Sequence, residues 1–456
     1  CSPGVKPKDP YSCFSGSLSP GAGERAGDRG RRGTGEKGVG ARRDGGGAFH
    51  PRRFSGLVPP MPIVTLKEGH VQPVWAGHPW VFQQAVQRIE GGVTAGDEVT
   101  VQDPRGNFLG RGFYSPKSAI PVRLLTRDPK VRIDGAFFRD AITRALELRK
   151  RVGLPSPDTN AFRVVHAEGD GLPGLVIDCY GDVVVYQLGT IGMKLREGLI
   201  IEAIQQVLKP RAIVDRTSAN ATKLENFGPQ GGIVRGDVTL DALRFVERGL
   251  RYELPLSFGQ KTGYYFDQRP LRARVEELAR GLRVLDVFSY VGSFAMAAAR
   301  GGAAEVEAVD QSATALEIGA ACAKLNGLEG RIRHVRSDAQ ERLARAGREG
   351  GFDLVICDPP KFAPTKGAHR AALTGYQKLA AAACRATKPG GLLVFCSCSG
   401  AVGLNELTRA LALGARDVRM RATVLERYSQ GPDHPVPAAF PEGLYLKSVI
   451  AVIEAV

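Results

Sequence analysis

The chain has 456 residues, 43% hydrophobic and 24% charged, which excludes a wholly disordered or fibrous protein. At roughly 150 residues per domain there is room for about three domains. The formal net charge of +15 points to a polyanionic partner, nucleic acid first. Eight cysteines are too few for a disulfide scaffold, and the absence of a CxxC pair gives a zinc site little support. No run of about 18 apolar residues suits a membrane span.

Residues 1–60 hold 11 Lys and Arg against 5 Asp and Glu, including the stretch GERAGDRGRRGTGEKGVGARRDGGG. Such a Gly/Arg-rich segment cannot bury enough apolar surface to order itself. It also lacks the apolar region of a secretory signal. Patterned sequence begins at Met61, so residues 1–60 read as a disordered extension outside the functional protein, a disordered RNA-binding arm being the alternative. The other 396 residues still carry a net +9.

Residues 61–130 read as a small β-rich domain, with strands at 99–103, 109–114 and 120–125 and a turn at Asp103-Pro-Arg-Gly-Asn107. Residues 131–255 read as an α+β middle domain. It opens on a helix over 136–152, then strands at 175–178 and 183–187, a helix over 194–208 ending before Pro210, and strands at 212–215 and 244–246. Residues 256–456 change rhythm. Strands at 283–287, 305–310, 332–335, 352–357 and 392–396 are separated by helical stretches, which implies crossovers and a mostly parallel sheet. The fold class is multidomain α/β, and ligands of such sheets bind beyond the carboxyl ends of the strands.

Asp286, Asp310, Asp338 and Asp358 end successive predicted strands, at gaps of 24, 28 and 20 residues. Any one of them alone suits a helix N-cap, but four in phase line one sheet edge. The loop after the first strand, Asp286-Val-Phe288-Ser-Tyr290-Val-Gly292, is not GxGxxG, which disfavours a dinucleotide and its pyrophosphate. S-adenosylmethionine carries no phosphate. It needs a tight turn, here Gly292, and a carboxylate near its charged amino acid end. Asp310 suits the ribose hydroxyls and Asp338 the adenine amino group. Asp358-Pro-Pro360 presents a carboxylate on a stiffened loop. Ser397-Cys398-Ser399 ends the next strand. Carbon-5 of a pyrimidine is a poor nucleophile until a thiolate adds to carbon-6, so Cys398 suits covalent catalysis while Cys396 reads as a core residue.

Several motifs extend the pattern: GHPWVF (77–82), GDEVTVQDPRGNFLGRGFY (96–114), HAEGDGLPGLVIDCYGD (166–182), GQKTGYYFDQRPLR (259–272), DPPKFAP (358–364), SCSG (397–400) and DHPVPAAFPEGLYLK (433–447). With these motifs the chain from about residue 61 resembles the PUA-domain class I methyltransferases that form 5-methylcytosine in 23S ribosomal RNA. The resemblance implies an RNA-binding PUA domain, an α+β middle domain and a Rossmann-like catalytic domain that uses S-adenosylmethionine. It implies Cys398 as nucleophile and Asp358 as the acid of the preceding motif. Gln268, Arg269, Asp286, Phe288, Tyr290, Gly292, Asp310 and Asp338 would border the cofactor. Val291 and Ser293 stand where the family usually has Thr and Gly. Lys361 stands where other RNA 5-methylcytosine enzymes carry a second cysteine. The acceptor of the carbon-5 proton is open among Lys361, His434 and a bound water.

The alternatives are a related enzyme that methylates a guanine nitrogen, a nicotinamide oxidoreductase, and a non-catalytic RNA-binding factor. The expected partner is 23S ribosomal RNA, with no membrane and no metal, and the expected location is the cytoplasm. The oligomeric state stays open, a homodimer being one option.

Overall fold

The protein is described here from a computed structural model covering residues 61–219, 223, 225–228, 231–259, 262–361 and 369–456. The Gly/Arg-rich extension lies outside the described residues. So do Gln260, Lys261 and Phe362 to Pro364 of the motifs above.

In the first domain, described strands form a six-stranded sheet in the order Trp80–Val81, Val122–Thr126, Phe108–Tyr114, Glu98–Gln102, Ile63–Leu66, Val86–Glu90. Strict alternation builds it. Val99 and Val101 face inward from Glu98–Gln102, and Val122 and Leu124 from Val122–Thr126, to meet Val64 and Leu66. The middle domain carries a five-stranded sheet in the order Gly232–Gly236, Ala212–Asp215, Val183–Leu188, Leu175–Tyr180, Ala161–His166. Helices Gly135–Arg151 and Glu197–Leu208 bury apolar stripes against it, including Phe138, Ile142, Ile200 and Ile204. Asp134 caps the first of these helices by accepting from the Phe137 N–H at 3.1 Å.

The hairpin Ala242–Glu247/Leu250–Pro255 follows. Its Leu243, Phe245, Tyr252 and Leu254 share one core with Tyr180 and Val185 of the middle domain and with Val284, Met296 and Ile318 beyond. The middle domain and the unit that follows are thus joined by continuous apolar packing.

The last sheet is built from β1 (Arg283–Val287), β2 (Glu305–Asp310), β3 (Ile332–Arg336), β4 (Phe352–Cys357), β5 (Thr387–Ser397), β6 (Met420–Tyr428) and β7 (Lys447–Ala455). Their spatial order is β3-β2-β1-β4-β5-β7-β6. β1 to β5 run parallel, and β7 runs antiparallel to both β5 and β6. The helices between them are α1 (Ser293–Arg300), α2 (Ala313–Leu325), α3 (Ala339–Arg348), α4 (His369–Ala386) and α5 (Leu404–Asp417). The sheet order reverses at β1 and β4, and their carboxyl ends form the crevice in which such sheets hold ligands. Among the described residues no helix is long and apolar enough to cross a membrane.

Candidate active site

Register aligns the site. Val287 of β1 pairs with Val309 of β2 and with Cys357 of β4, and Cys357 pairs with Phe395 of β5. Phe288, Asp310, Asp358 and Cys396 therefore come level across four adjacent strands, and Cys398 lies two residues beyond.

The loop from β1 to α1 holds an unusual backbone. Phe288, Tyr290 and Gly292 all have positive φ, at 62°, 53° and 69°. Left-handed backbone is unfavourable for residues with a Cβ, and such strain collects at ligand sites. Asp310 enforces it. Its Oδ2 accepts from the Tyr290 N–H and its Oδ1 from the Ser312 N–H, both at 2.9 Å. The Tyr290 ring stacks on Phe258 at 5.4 Å, and its hydroxyl donates to the Gly263 carbonyl at 2.8 Å.

The other acidic residues divide by role. Asp286 is buried and accepts from the Ala295 N–H at 3.1 Å, which ties β1 to the first turn of α1. Burial pushes its carboxyl well above the usual carboxylate range, against the pull of the Ala295 N–H, and Asp358 and Asp310 push it further. Asp338 caps α3 through the Gln340 and Glu341 N–H groups at 2.8 and 3.1 Å, while its other oxygen accepts from Gln311 at 2.6 Å. Asp358 is half-buried, and its Oδ2 accepts from Gln268 Nε2 at 2.9 Å.

These carboxylates decide what the crevice can hold. Asp358 and Asp310 each push against the Asp286 carboxyl, and a cation near the three favours their charged forms. The sulfonium and ammonium of S-adenosylmethionine fit this cluster, whereas a diphosphate would meet like charge.

The cysteines separate cleanly. Cys396 is fully buried on the face that holds Val284 and Ile356. Burial, then Asp358, pushes its thiol well above the ordinary range. Ser397 points to the opposite face, where its hydroxyl donates to the Tyr376 hydroxyl at 2.8 Å. Cys398 is half-exposed at the mouth of the sheet.

Arg269, expected to border the cofactor, and His434, one of the open choices for the proton acceptor, make their contacts in the joint between domains. Arg269 donates to Glu247 at 3.2 Å, Asp433 at 3.1 Å and the Ala161 carbonyl at 2.8 Å, so each of its nitrogens has a protein partner. His434 is buried, with Nδ1 3.1 Å from Asp433 Oδ1 and its ring 4.8 Å from that of His166. The segment 433–447 does more than its motif suggested. The Asp433 carbonyl accepts from Arg149, Phe440 packs on Trp80 at 4.6 Å, and Tyr445 donates to Asp267 at 2.6 Å. Lys447 ends this segment beside Cys398. The one signal for it in the sequence was a lysine opening the otherwise apolar run Ser448–Ile453. A cavity of about 830 Å³ lies elsewhere, between the first and middle domains, with Lys130, Arg132 and Arg144 in its lining.

Residues 64–127 match the PUA-like domain, and residues 233–445 match the S-adenosylmethionine-dependent methyltransferase family. A relative from Erwinia tasmaniensis, ribosomal RNA large subunit methyltransferase I, is 36% identical over 386 residues, covering 84% of this chain and 97% of its own. The protein of that name from Shewanella denitrificans is 36% identical over 391 residues, covering 85% and 98%. The chain belongs to the ribosomal RNA large subunit methyltransferase I family. Its fold is shared by a protein from Streptococcus mutans described as an S-adenosylmethionine-dependent methyltransferase, with a TM-score of 0.74 at 22% identity, covering 86% of this chain and all of that one. A second such structure, also at TM-score 0.74 and 22% identity, covers 86% of this chain and 99% of its own and is complexed with SAH. This member of the ribosomal RNA large subunit methyltransferase I family is therefore an enzyme, a PUA-like domain followed by a methyltransferase domain, and its cofactor is S-adenosylmethionine.

Proposed function

We propose that the enzyme forms 5-methylcytosine in 23S ribosomal RNA, with Cys398 as nucleophile and Asp358 as the acid that holds the base. The relatives' name supports large-subunit ribosomal RNA as substrate, and the PUA-like domain and basic charge agree with it. The observation that carries the cytosine reading is the contrast between the two cysteines. Cys396 is sealed in the core, and Cys398 stands half-exposed just past the strand beside Asp358.

S-adenosylmethionine supplies the electrophilic methyl group. The loop of Phe288, Tyr290 and Gly292, with Asp310 beneath it and Asp286 behind, is the part of this chain that would hold it, with Asp338 at the rim. Gln268 orients Asp358. The Cys398 sulfur bonds to carbon-6, and the carbon-5/carbon-6 π electrons make carbon-5 nucleophilic. Asp358 shares a proton at N3 as negative charge grows on the ring. After methylation, carbon-5 loses its proton, the double bond re-forms, and the sulfur–carbon bond breaks with its electrons returning to Cys398. A water held near Lys361 is the acceptor this reading favours. An ammonium has no lone pair for the proton, and His434 is buried in the domain joint.

The test is to methylate 23S ribosomal RNA from cells lacking the enzyme with labelled cofactor and to identify the product nucleoside. 5-Methylcytosine is expected. Label on a guanine nitrogen would overturn the reading.

A further inference from the structure

Lys447 opens β7 and pairs in register with Ser397, the last residue of β5. It is only 5% exposed. Its Nζ donates to the Ser399 carbonyl at 2.6 Å and to the Tyr445 carbonyl at 2.8 Å. These acceptors are neutral, and among the described residues no carboxylate forms an ion pair with it. A buried ammonium without an anion is costly, so its position calls for a nearby group that becomes negative. Ser399 is the residue after Cys398, so the ammonium grips the turn that carries the sulfur.

We propose that Lys447 is the positioning residue of this site, pinning the Cys398 turn through Ser399 and holding the Cys398 sulfur as a thiolate. This rests on the reading of Cys398 as the nucleophile. The electrostatics agree with the geometry. Burial pushes the Lys447 ammonium down to about 8, while Cys398 opposes that fall more strongly than any other charge. Lys361 pushes the same way as burial, and Glu406, itself 2.9 Å from His369, pushes against it. A thiolate beside a retained cation is the reactive form of cysteine at neutral pH. The sequence alone would make Lys447 no more than the edge of a strand.

The test reads thiol chemistry without RNA. The full chain is alkylated with iodoacetamide across pH 5 to 10, and modification of the Cys398 peptide is followed by mass spectrometry. In the wild type, half-maximal reactivity is expected at least about one unit below the ordinary thiol value of roughly 8.5. Lys447→Gln keeps a donor for the two carbonyls and removes the charge. Its Cys398 should react about tenfold more slowly at pH 7. Lys447→Arg keeps the charge and should stay within about twofold of the wild type. A Lys447→Gln curve that superimposes on the wild type would reduce Lys447 to a strut and overturn the proposal. Should Lys447→Gln fail to fold, the wild-type curve decides alone, because half-maximal reactivity at or above roughly 8.5 also overturns it. A guanine product in the RNA assay would remove the cytosine mechanism and leave this thiol measurement standing.

Discussion

Asp310 is tied to two backbone amides within the protein itself, so its carboxylate serves both the loop and whatever the loop holds. Asp310→Ala should weaken S-adenosylmethionine binding by roughly ten- to a hundredfold, equivalent to about 1.5–3 kcal/mol. Calorimetry giving an unchanged Kd would remove Asp310 from cofactor recognition. At this scale the acidic series was legible, because each strand–helix unit returns the chain to the same sheet edge. The second jobs of those residues were not. Asp338 as a helix cap depends on amides within one turn, a reading any single Asp allows equally, and Asp286 as a tie to α1 depends on an amide nine residues on, across the loop. The contacts of Arg269 and His434 were not legible for a different reason. Their partners Ala161, His166 and Glu247 come from another part of the chain, and spacing carries no information about them.

The parallel half of the catalytic sheet was legible as elements because buried strands alternate with helices. β6 was not. Its burial alternates from Met420 to Tyr428, but the exposed position 425 holds Leu and the half-buried position 426 holds Glu, which meets Arg274 at 2.7 Å. An apolar residue facing out and an acidic one facing in erase the period-two pattern. The connection between domains also works through backbone. Gly169 of the middle domain lies so near the segment 433–447 that a Cβ would fall 2.2 Å from the Pro435 carbonyl oxygen. Gly169→Ala must push the two backbones apart, at a cost of about 1–3 kcal/mol. A lowered Tm with faster proteolysis of the domain joint is the expected result. An unchanged Tm would show that the close approach bears no strain.

On the scale of the whole molecule, one buried carboxylate adds to the apolar packing that joins the middle and methyltransferase domains. Despite burial, His434, Arg269 and the Arg163 N–H keep the Asp433 carboxyl below the usual carboxylate range. A folded-state pKa below the unfolded one adds stability that is present above the unfolded value, near pH 4, and is lost as pH falls below it. Asp433→Asn should therefore lower the Tm at neutral pH and flatten its dependence on pH in the acid range. Equal Tm–pH curves for variant and wild type would remove Asp433 from the joint. The joint leads to the Cys398 turn, since the chain runs from Asp433 through Tyr445 to Lys447, whose Nζ donates to the Ser399 carbonyl. The central claim is that this turn presents the nucleophile, and a 5-fluorocytosine RNA tests it most directly, because fluorine blocks the final elimination and leaves protein and RNA joined. The account predicts a covalent complex with the wild type and with Cys396→Ala, a variant that loses mainly stability, and none with Cys398→Ala. A complex that forms with Cys398→Ala and disappears with Cys396→Ala would contradict it.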